Sequence, residues 1–327
     1  MGRDSNSLVQ VLDDTAQGPG DKITMILRMQ LQGEGVAGDE TLEGQEEALA
    51  TYTDSIYIDQ LRHATRSKGK MTEQRIPFKI REEGRMGLQD WWSARFDYWF
   101  MNQLAGNTAQ TNTKYTGMQA CIAPDTSHVL YQNSHTTVAS MTATAACIFS
   151  LALVDKCVLK AGTLTPPIRP VATGADKADY VMFVTPEHHY DMRRNSSTME
   201  WADIQKALLT ASGAAKNLIF TGSLGLYNKT ILHESYFLPV TTSTGGSKIG
   251  TAVFCGAQAG CLAFGRDSGA AGRVSWNEKL FDYGNSLGIE AGYIGGLKKT
   301  RYNSMDFATI TVYAAHSADA AAATGRA

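Results

Sequence analysis

The chain has 327 residues, 43% of them hydrophobic and 19% charged, with a formal net charge of -2. That length suits about two domains or one elaborate one, with a sizeable core, and the apolar content excludes broad disorder. Near-neutrality excludes a protein whose main task is gripping nucleic acid by neutralising phosphates, and the longest apolar stretches, such as Ala145 to Val154, are too short to span a bilayer. The N-terminal MGRDSNSLVQVLDD has no basic flank leading into an apolar segment, so no secretory signal is expected. The five cysteines, Cys121, Cys147, Cys157, Cys255 and Cys261, form no C-x-x-C pair, and reduced, buried thiols in a reducing cytoplasm are expected.

In chain order, the first clear element is Asp21 to Leu31, DKITMILRMQL, where Ile23, Met25, Leu27, Met29 and Leu31 share one face of a strand. Tyr52 to Arg66 (YTDSIYIDQLRHATR) reads as an extended return segment. Between them lies QGEGVAGDETLEGQEEA, whose Gly33, Gly35 and Gly38 spell the G-x-G-x-x-G of a dinucleotide-binding turn. That fingerprint works when the third glycine opens a helix whose N-terminus holds a pyrophosphate. Here Asp39, Glu40, Glu43, Glu46 and Glu47 crowd the site with negative charge, so the expectation is two antiparallel arms joined by a long loop in which Gly33, Gly35, Gly38 and Gly44 supply positive-φ turns. A two-stranded ribbon is marginal in water and needs a surface to lie on.

From Thr72 the apolar spacing becomes helical, with Ile80, Gly84, Leu88, Trp91, Trp92, Phe96 and Trp99 recurring at steps of three and four until Gly106-Asn107. The tryptophans suit a core and also an interface, the core being the plainer assignment. Asn107 to Thr137 is polar and irregular, Ala139 to Leu159 predicts a buried helix, and TPPIRPVATG marks a boundary. Asp179 to Val184 predicts a strand, Thr185-Pro186-Glu187 a helix start, and Met199 to Leu209 a further helix. Short strands follow at Leu218 to Phe220, Thr230 to Phe237 and Ala252 to Phe264. Ile289 to Ile294 and Phe307 to Tyr313 then read as paired strands around a basic turn, and SADAAAATGRA is expected to fray.

Candidate chemistry is sparse. His188-His189, with Glu187 and Asp191 nearby, offers metal-ligand types, but adjacent helical positions diverge by about 100°, whereas a two-histidine helical site wants i, i+4 spacing. TGSLG around Ser223 resembles a nucleophile elbow but lacks its first glycine. Lys298, Lys299 and Arg301 form too short a basic run for phosphate recognition and read as a solvated turn or an interface patch. No Walker A, EF-hand or zinc-knuckle pattern occurs, so the expectation is a non-enzymatic structural protein with no cofactor and no metal. The rival readings are a nucleotide-dependent oxidoreductase using Gly33, Gly35 and Gly38, and a serine hydrolase using Ser223.

Four longer words carry a resemblance: GDKITMILRMQL, GDETLEGQEEAL, IDQLRHATRSKGKMTEQRIPF and LQDWWSARFDYWFMNQLAG. Together with the terminal IEAGYIGGLKKTRYNSMDFATITVYAA, they closely resemble major capsid proteins of tailed bacteriophages, in the family typified by the coat protein of N4-like phages. The resemblance implies an α+β, HK97-type (Johnson) fold. Its parts would be an N-terminal arm over 1–20, an extended loop over 21–71, a peripheral domain over 72–178 with a spine helix at 72–105, and an axial domain over 179–272. The segment 273–316 would return to the peripheral domain, with a flexible tail at 317–327. Before Gly20 the chain is shorter than the family's arm leads one to expect.

The resemblance further implies self-assembly into hexamers and pentamers of an icosahedral shell in the bacterial cytoplasm. Expected partners are a separate scaffolding protein, a portal, a decoration protein and, non-specifically, packaged double-stranded DNA, with no membrane. On that picture the acidic tip, Glu40, Glu43, Glu46 and Glu47, is expected to meet Arg62, Arg66, Lys68 or Lys70 of an adjacent copy, and Gly84 and Gly87 to let the spine helix bend.

Overall fold

The computed structural model of the chain describes residues 2–12, 20–29, 31, 33–47, 52–77, 79–117, 119–172, 178–194, 226–265 and 274–324. The predicted helix Met199 to Leu209, the strand Leu218 to Phe220 and the TGSLG turn with Ser223 lie outside these residues.

Apolar alternation decides where the N-terminal strands lie. Val9–Leu12 (β1) turns Val9 and Val11 into the core. Lys22–Leu27 (β2) alternates exposed and buried, placing Ile23, Met25 and Leu27 inward, and pairs antiparallel with Tyr52–Tyr57 (β3) from Lys22 opposite Tyr57 to Leu27 opposite Tyr52. The predicted strand to Leu31 stops at Leu27 because the next amide, Arg28 N, donates to the Gln258 side chain at 3.2 Å instead of to a neighbouring strand. Asp59–Arg66 (β4) then leaves the ribbon and enters another sheet. The expected single return segment is therefore two strands with different partners.

Pro77 divides the predicted 72–105 helix in two. Lys70–Arg75 (α1) ends at Ile76, whose extended backbone (φ -109°, ψ 132°) is what a following proline imposes. Ile80–Ala105 (α2) runs 26 residues, about 39 Å at 1.5 Å per residue, and stops at Gly106, which takes the left-handed conformation (φ 66°) and donates back to the last turn. Its buried face is the tryptophan face: Leu88, Trp92 and Trp99 pack with Ile289, Leu297, Tyr293, Leu262 and Phe264. Phe96 meets the Tyr293 ring edge-on at 4.9 Å. Core packing is thus the role of Trp92 and Trp99, while half-buried Trp91 stacks on His63 at 4.2 Å.

Thr113–Thr116 (α3) and Val129–Tyr131 (β5) follow. The helix predicted at Ala139 begins only with Leu151–Thr163 (α4), because Ile148 is held extended in a parallel bridge with Ala315, and Ser150 occupies the N-cap position. Val171–Ala172 (β6), Ala178–Val184 (β7), Pro186–Arg194 (α5), Leu226–Tyr227 (β8), Thr230–Glu234 (β9), Val240–Thr242 (β10) and Lys248–Cys255 (β11) build the middle of the chain. Gly260–Phe264 (β12), Ser275–Phe281 (β13), Ser286–Lys299 (β14), Arg301–Tyr302 (β15), Met305–Asp306 (β16) and Thr309–Ala315 (β17) complete the strands. The tail expected to fray forms Ala318–Thr324 (α6), whose start is capped by Ser317 Oγ accepting from Ala320 N and whose Ala320 is buried.

Among the described residues two larger sheets emerge. One has five strands in the order β1-β12-β14-β13, with β4 also on β14, and α2 lies across it. The other has eight, in the order β5-β17-β11-β7-β9-β8, with β10 on β11 and β6 on β7. Its central strands β11 and β17 are buried along almost their whole length, which is why they read as near-continuous apolar runs. The stretch 273–316 therefore divides, with β13 and β14 beside α2 and β17 in the eight-stranded sheet. Likewise β12, inside the expected 179–272 unit, belongs to the five-stranded sheet.

The two glycines of α2 differ in surroundings. A Cβ at Gly84 would lie 3.2 Å from Thr65 Oγ1 and 3.3 Å from Ile289 Cδ1, whereas one at Gly87 meets nothing within 4 Å. Gly87→Ala should therefore stabilise the unassembled chain by about 0.5–1 kcal/mol through helix propensity. Gly84→Ala should gain less or nothing, because β4 or β14 must yield. Urea unfolding of the two variants checks this, and equal gains would show that Gly84 is not a packing glycine.

Candidate functional site: the ribbon and its anchorage

The base of the ribbon is fixed by its own chain. Met25 and Leu27 join the main core, while Ile23 and Ile56 pack with Ala263. Tyr52 meets the Tyr302 ring edge-on at 4.7 Å. The surface that the ribbon needs is its own chain: the inward side chains of β2 are buried within the subunit, where the turn between β11 and β12 comes up beneath them.

That turn presents Gln258, which is fully buried and has a left-handed backbone (φ 59°). Its Oε1 accepts from Arg28 N at 3.2 Å and Arg169 Nη2 at 2.9 Å, and its Nε2 donates to Ile26 O at 3.1 Å and Gln10 Oε1 at 2.8 Å. Its backbone N donates to Ser7 O, and its backbone O accepts from Thr300 Oγ1. Every side-chain hydrogen-bonding position of this amide is occupied, so it joins the N-terminal segment, the ribbon and the two sheets.

A second anchor is ionic. Lys298 Nζ lies 2.6 Å from Asp54 Oδ1 and donates to Ser55 O at 3.0 Å, while Arg301 N donates to Asp54 Oδ2 at 3.0 Å. Next to it, Lys299 Nζ meets Asp306 Oδ2 at 2.7 Å with both side chains buried, and Arg301 Nε lies 3.4 Å from Asp306 Oδ1. Burial pushes the Lys299 ammonium below the ordinary lysine range, and the Asp306 carboxylate opposes that shift. The basic run Lys298, Lys299 and Arg301 is therefore an internal clasp and not the solvated turn or interface patch expected. Its carboxylate partners sit far away in sequence or on the far side of a hairpin, so composition gave no sign of the pairing.

Over residues 33–47 the loop is exposed apart from half-buried Val36. Residues 33–47 turn at Gly35 (φ 72°), Gly38 (φ 71°) and Gly44 (φ 92°), as expected, while Gly33 has no positive φ. No helix opens after Gly38, and the Gly33 amide that a phosphate would need donates to Glu47 Oε2 at 2.7 Å. The oxidoreductase reading fails here on both counts. Glu40, Glu43, Glu46 and Glu47 are exposed with Leu31 and Leu42, and Glu46 Oε2 accepts from Gly44 N at 2.7 Å.

The four basic residues line the corner where β4 runs into α1, and all are exposed. Arg62 lies 3.6 Å from Glu290, Arg66 donates to Ser286 Oγ at 2.9 and 3.0 Å with its guanidinium over the Phe281 ring, and Lys70 N donates to Asn285 Oδ1. Within one chain, then, the partners found for Arg62, Arg66, Glu46 and Glu47 are not each other.

The histidine pair on α5 splits as its spacing demands. His188 is fully buried, stacks on Phe149, meets His316 edge-on with ring centres 4.9 Å apart and points Nε2 at Ala314 O. His189 Nδ1 instead faces Glu234 Oε2 at 2.5 Å. The two imidazoles therefore do not converge on a common point. Burial, reinforced by the neighbouring His316, pushes the His188 pKa down to about 3. Burial also lowers His128, although Asp125 opposes it. Among the described residues no helix is long and apolar enough to cross a membrane.

Against known proteins, the family model described as phage capsid protein matches residues 1–318. The major capsid protein of Pseudomonas phage KPP25 is 29% identical over 96% of this chain and 89% of its own length. Among solved structures, the capsid of Ralstonia phage GP4 superposes with a TM-score of 0.82 at 30% identity, covering 96% of this chain and 89% of its own. The cyanophage Pam1 capsid shares the fold, with a TM-score of 0.74 at 17% identity over 97% of this chain and 91% of its own.

Two outcomes follow, one from the anchorage and one from His188. Gln258→Ala should cost about 2–4 kcal/mol, by emptying a buried site and orphaning several partners, and should speed proteolytic nicking within 28–51. Lowered global stability with unchanged nicking there would show that Gln258 does not hold the ribbon. Because His188 stays neutral in the fold, the unfolded chain binds a proton that the native chain refuses, so stability is whole above the ordinary histidine pKa of 6.5 and is lost as pH falls from there toward about 3. Urea unfolding of the unassembled chain should show a slope approaching about 1.4 kcal/mol per pH unit from this group, and His188→Gln should flatten it. Parallel slopes in both proteins would exclude His188 as the source.

Proposed function

The chain belongs to the phage capsid protein family, and from that premise we propose that it closes its shell through the loop tip, docked on the basic corner of a neighbouring copy. It is a major capsid protein with an HK97-type fold, and copies of it form the capsid of a tailed phage. The observation that carries the docking proposal is the contrast within the ribbon. Its base is locked by Gln258 and Asp54, whereas its tip is exposed, acidic and carries Leu31 at 63% and Leu42 at 58% exposure. A stem held by its own chain thus presents a tip that stays exposed among the described residues.

Glu40, Glu43, Glu46 and Glu47 supply the charge that selects Arg62, Arg66, Lys68 and Lys70 on the neighbour. Such pairing governs register and partner choice more than affinity. Each copy touches several others, so weak individual contacts suffice for a closed shell of hexamers and pentamers with icosahedral symmetry. In this scheme the five-stranded sheet with α2 is the peripheral domain and the eight-stranded sheet the axial domain, so β17 lies in the latter. The segment before Gly20 serves as the arm and 21–71 as the extended loop. The role of hinge narrows to Gly87, since Gly84 already has a packing role against Thr65 and Ile289.

The protein acts without catalysis or cofactor. A net charge of -2 suits a wall that contains double-stranded DNA without gripping it. A scaffolding protein, a portal and a decoration protein complete the particle, which is put together in the bacterial cytoplasm.

Reversal of all four tip glutamates to lysine should cut the yield of uniform particles in negative-stain images and alter their salt dependence. Mixing with a chain carrying Arg62→Glu, Arg66→Glu, Lys68→Glu and Lys70→Glu should restore it. Unchanged yield and salt response in the reversed tip would rule out this contact.

A further inference from the structure

The segment between β5 and α4 holds a polar cluster apart from the ribbon and its anchorage. Gln132–Ser134 forms a short 3-10 turn in which Asn133 (φ 55°) and Ser134 (φ 58°) both take left-handed backbone, and this delivers the Asn133 and His135 side chains to a second such turn, Ala145–Cys147. There Cys147 Sγ lies 3.3 Å from His135 Nε2. Thr144 Oγ1 donates toward the same sulfur at 3.3 Å, and Asn133 Nδ2 does so at 3.8 Å.

The far side of the imidazole fixes its tautomer. Ser140 Oγ donates to Thr137 O at 2.9 Å, which leaves its lone pairs to accept from His135 Nδ1, 3.3 Å away, and from Thr137 Oγ1 at 3.2 Å. Nδ1 is then the protonated nitrogen, and Nε2 faces the thiol as an acceptor. A thiol in contact with a base, the base oriented by a third group and the sulfur surrounded by donors, is the arrangement that turns a cysteine into a nucleophile.

We infer that Cys147, with His135 as base and Ser140 as its positioning residue, is a nucleophilic thiol site for small disulfides. His135 Nε2 takes the proton from Cys147 Sγ, and the thiolate attacks one sulfur of R–S–S–R. The Cys147–sulfur bond forms as the S–S bond breaks, and the departing R–S⁻ takes up the proton from His135. Cys147 is oxidised to a mixed disulfide and the leaving half is reduced, so no further reagent is needed. The event is a stoichiometric modification, not a turnover.

The other cysteines make the site selective. Burial pushes Cys121 up to about 11, Cys157 and Cys261 up to about 12, and Cys255 up as well. Cys147 is itself buried, in a small cluster with Met141, Ile249 and Ala315. Its outer cover is exposed chain, including Asn133, Ser134 and 142–146, with no helix longer than a single 3-10 turn. Local opening of such a segment costs far less than global unfolding and admits a small reagent.

The test treats the full-length native chain with 5,5′-dithiobis(2-nitrobenzoic acid), following release of its coloured thiolate. One thiol per chain should react at least about tenfold faster than the rest, and peptide mapping should place the adduct on Cys147. Cys147→Ser should abolish the fast phase. His135→Gln should slow it about tenfold at neutral pH and change the shape of its pH–rate profile. Mapping to another cysteine, the absence of any fast phase in the native chain, or superimposable pH profiles with and without His135 would overturn the assignment. Mapping of the wild-type adduct decides the matter even where a variant fails to fold.

Discussion

Gln258 sits where β11 ends and β12 begins, at the point where the chain passes from the eight-stranded sheet to the five-stranded one, and both halves of its amide are fully engaged. A buried amide of this kind is stabilising only when all its partners are in place, because each unmade bond leaves a desolvated donor or acceptor. Its partners come from the N-terminal segment, the ribbon and Arg169, so those parts dock together or not at all. The ribbon is therefore a lever whose fulcrum is built into the junction between the sheets.

The ionic clasp around Lys298 and Lys299 extends that logic. Two lysines in sequence pair with Asp54 and Asp306, and the second pair is almost wholly removed from water. Such pairs add little net stability relative to apolar replacements, but breaking one leaves an uncompensated buried charge, so they penalise wrong arrangements. At the base of a projecting arm, a penalty on wrong arrangements is useful: it fixes the direction in which the tip leaves the subunit. The tip carboxylates stay exposed, and two of them turn back onto the loop's own amides, Glu46 onto Gly44 and Glu47 onto Gly33.

Much of the fold was legible in the chain. Alternation over Asp21 to Leu27 marked β2, and the three- and four-residue spacing of Leu88, Trp92 and Trp99 marked the inner face of α2, because burial of one face imposes its own period on the sequence. The end of α2 was legible in Gly106, and the long shared words identified the family. What the alternation of β2 did not reveal is that its apolar face lies on its own chain. Other misreadings share a cause. The late start of α4 follows from Ile148 bridging to Ala315, the order of the tail from Ser317 capping α6 and bonding to Asp191, and the clasp from residues 7 and 244 positions apart.

The sequence by itself determined the elements whose side chains face one way at a fixed period, the acidic character of the loop, the divergence of His188 and His189, and membership of a capsid family. Tertiary structure alone decided which sheet each strand joins, what lies under the ribbon, and which polar groups are buried together. The reason is that local periodicity records only that a face is covered. The identity of what covers it depends on contacts between residues such as Gln258 and Ile26, or Lys298 and Asp54, that become neighbours only when distant segments of the chain have closed on each other.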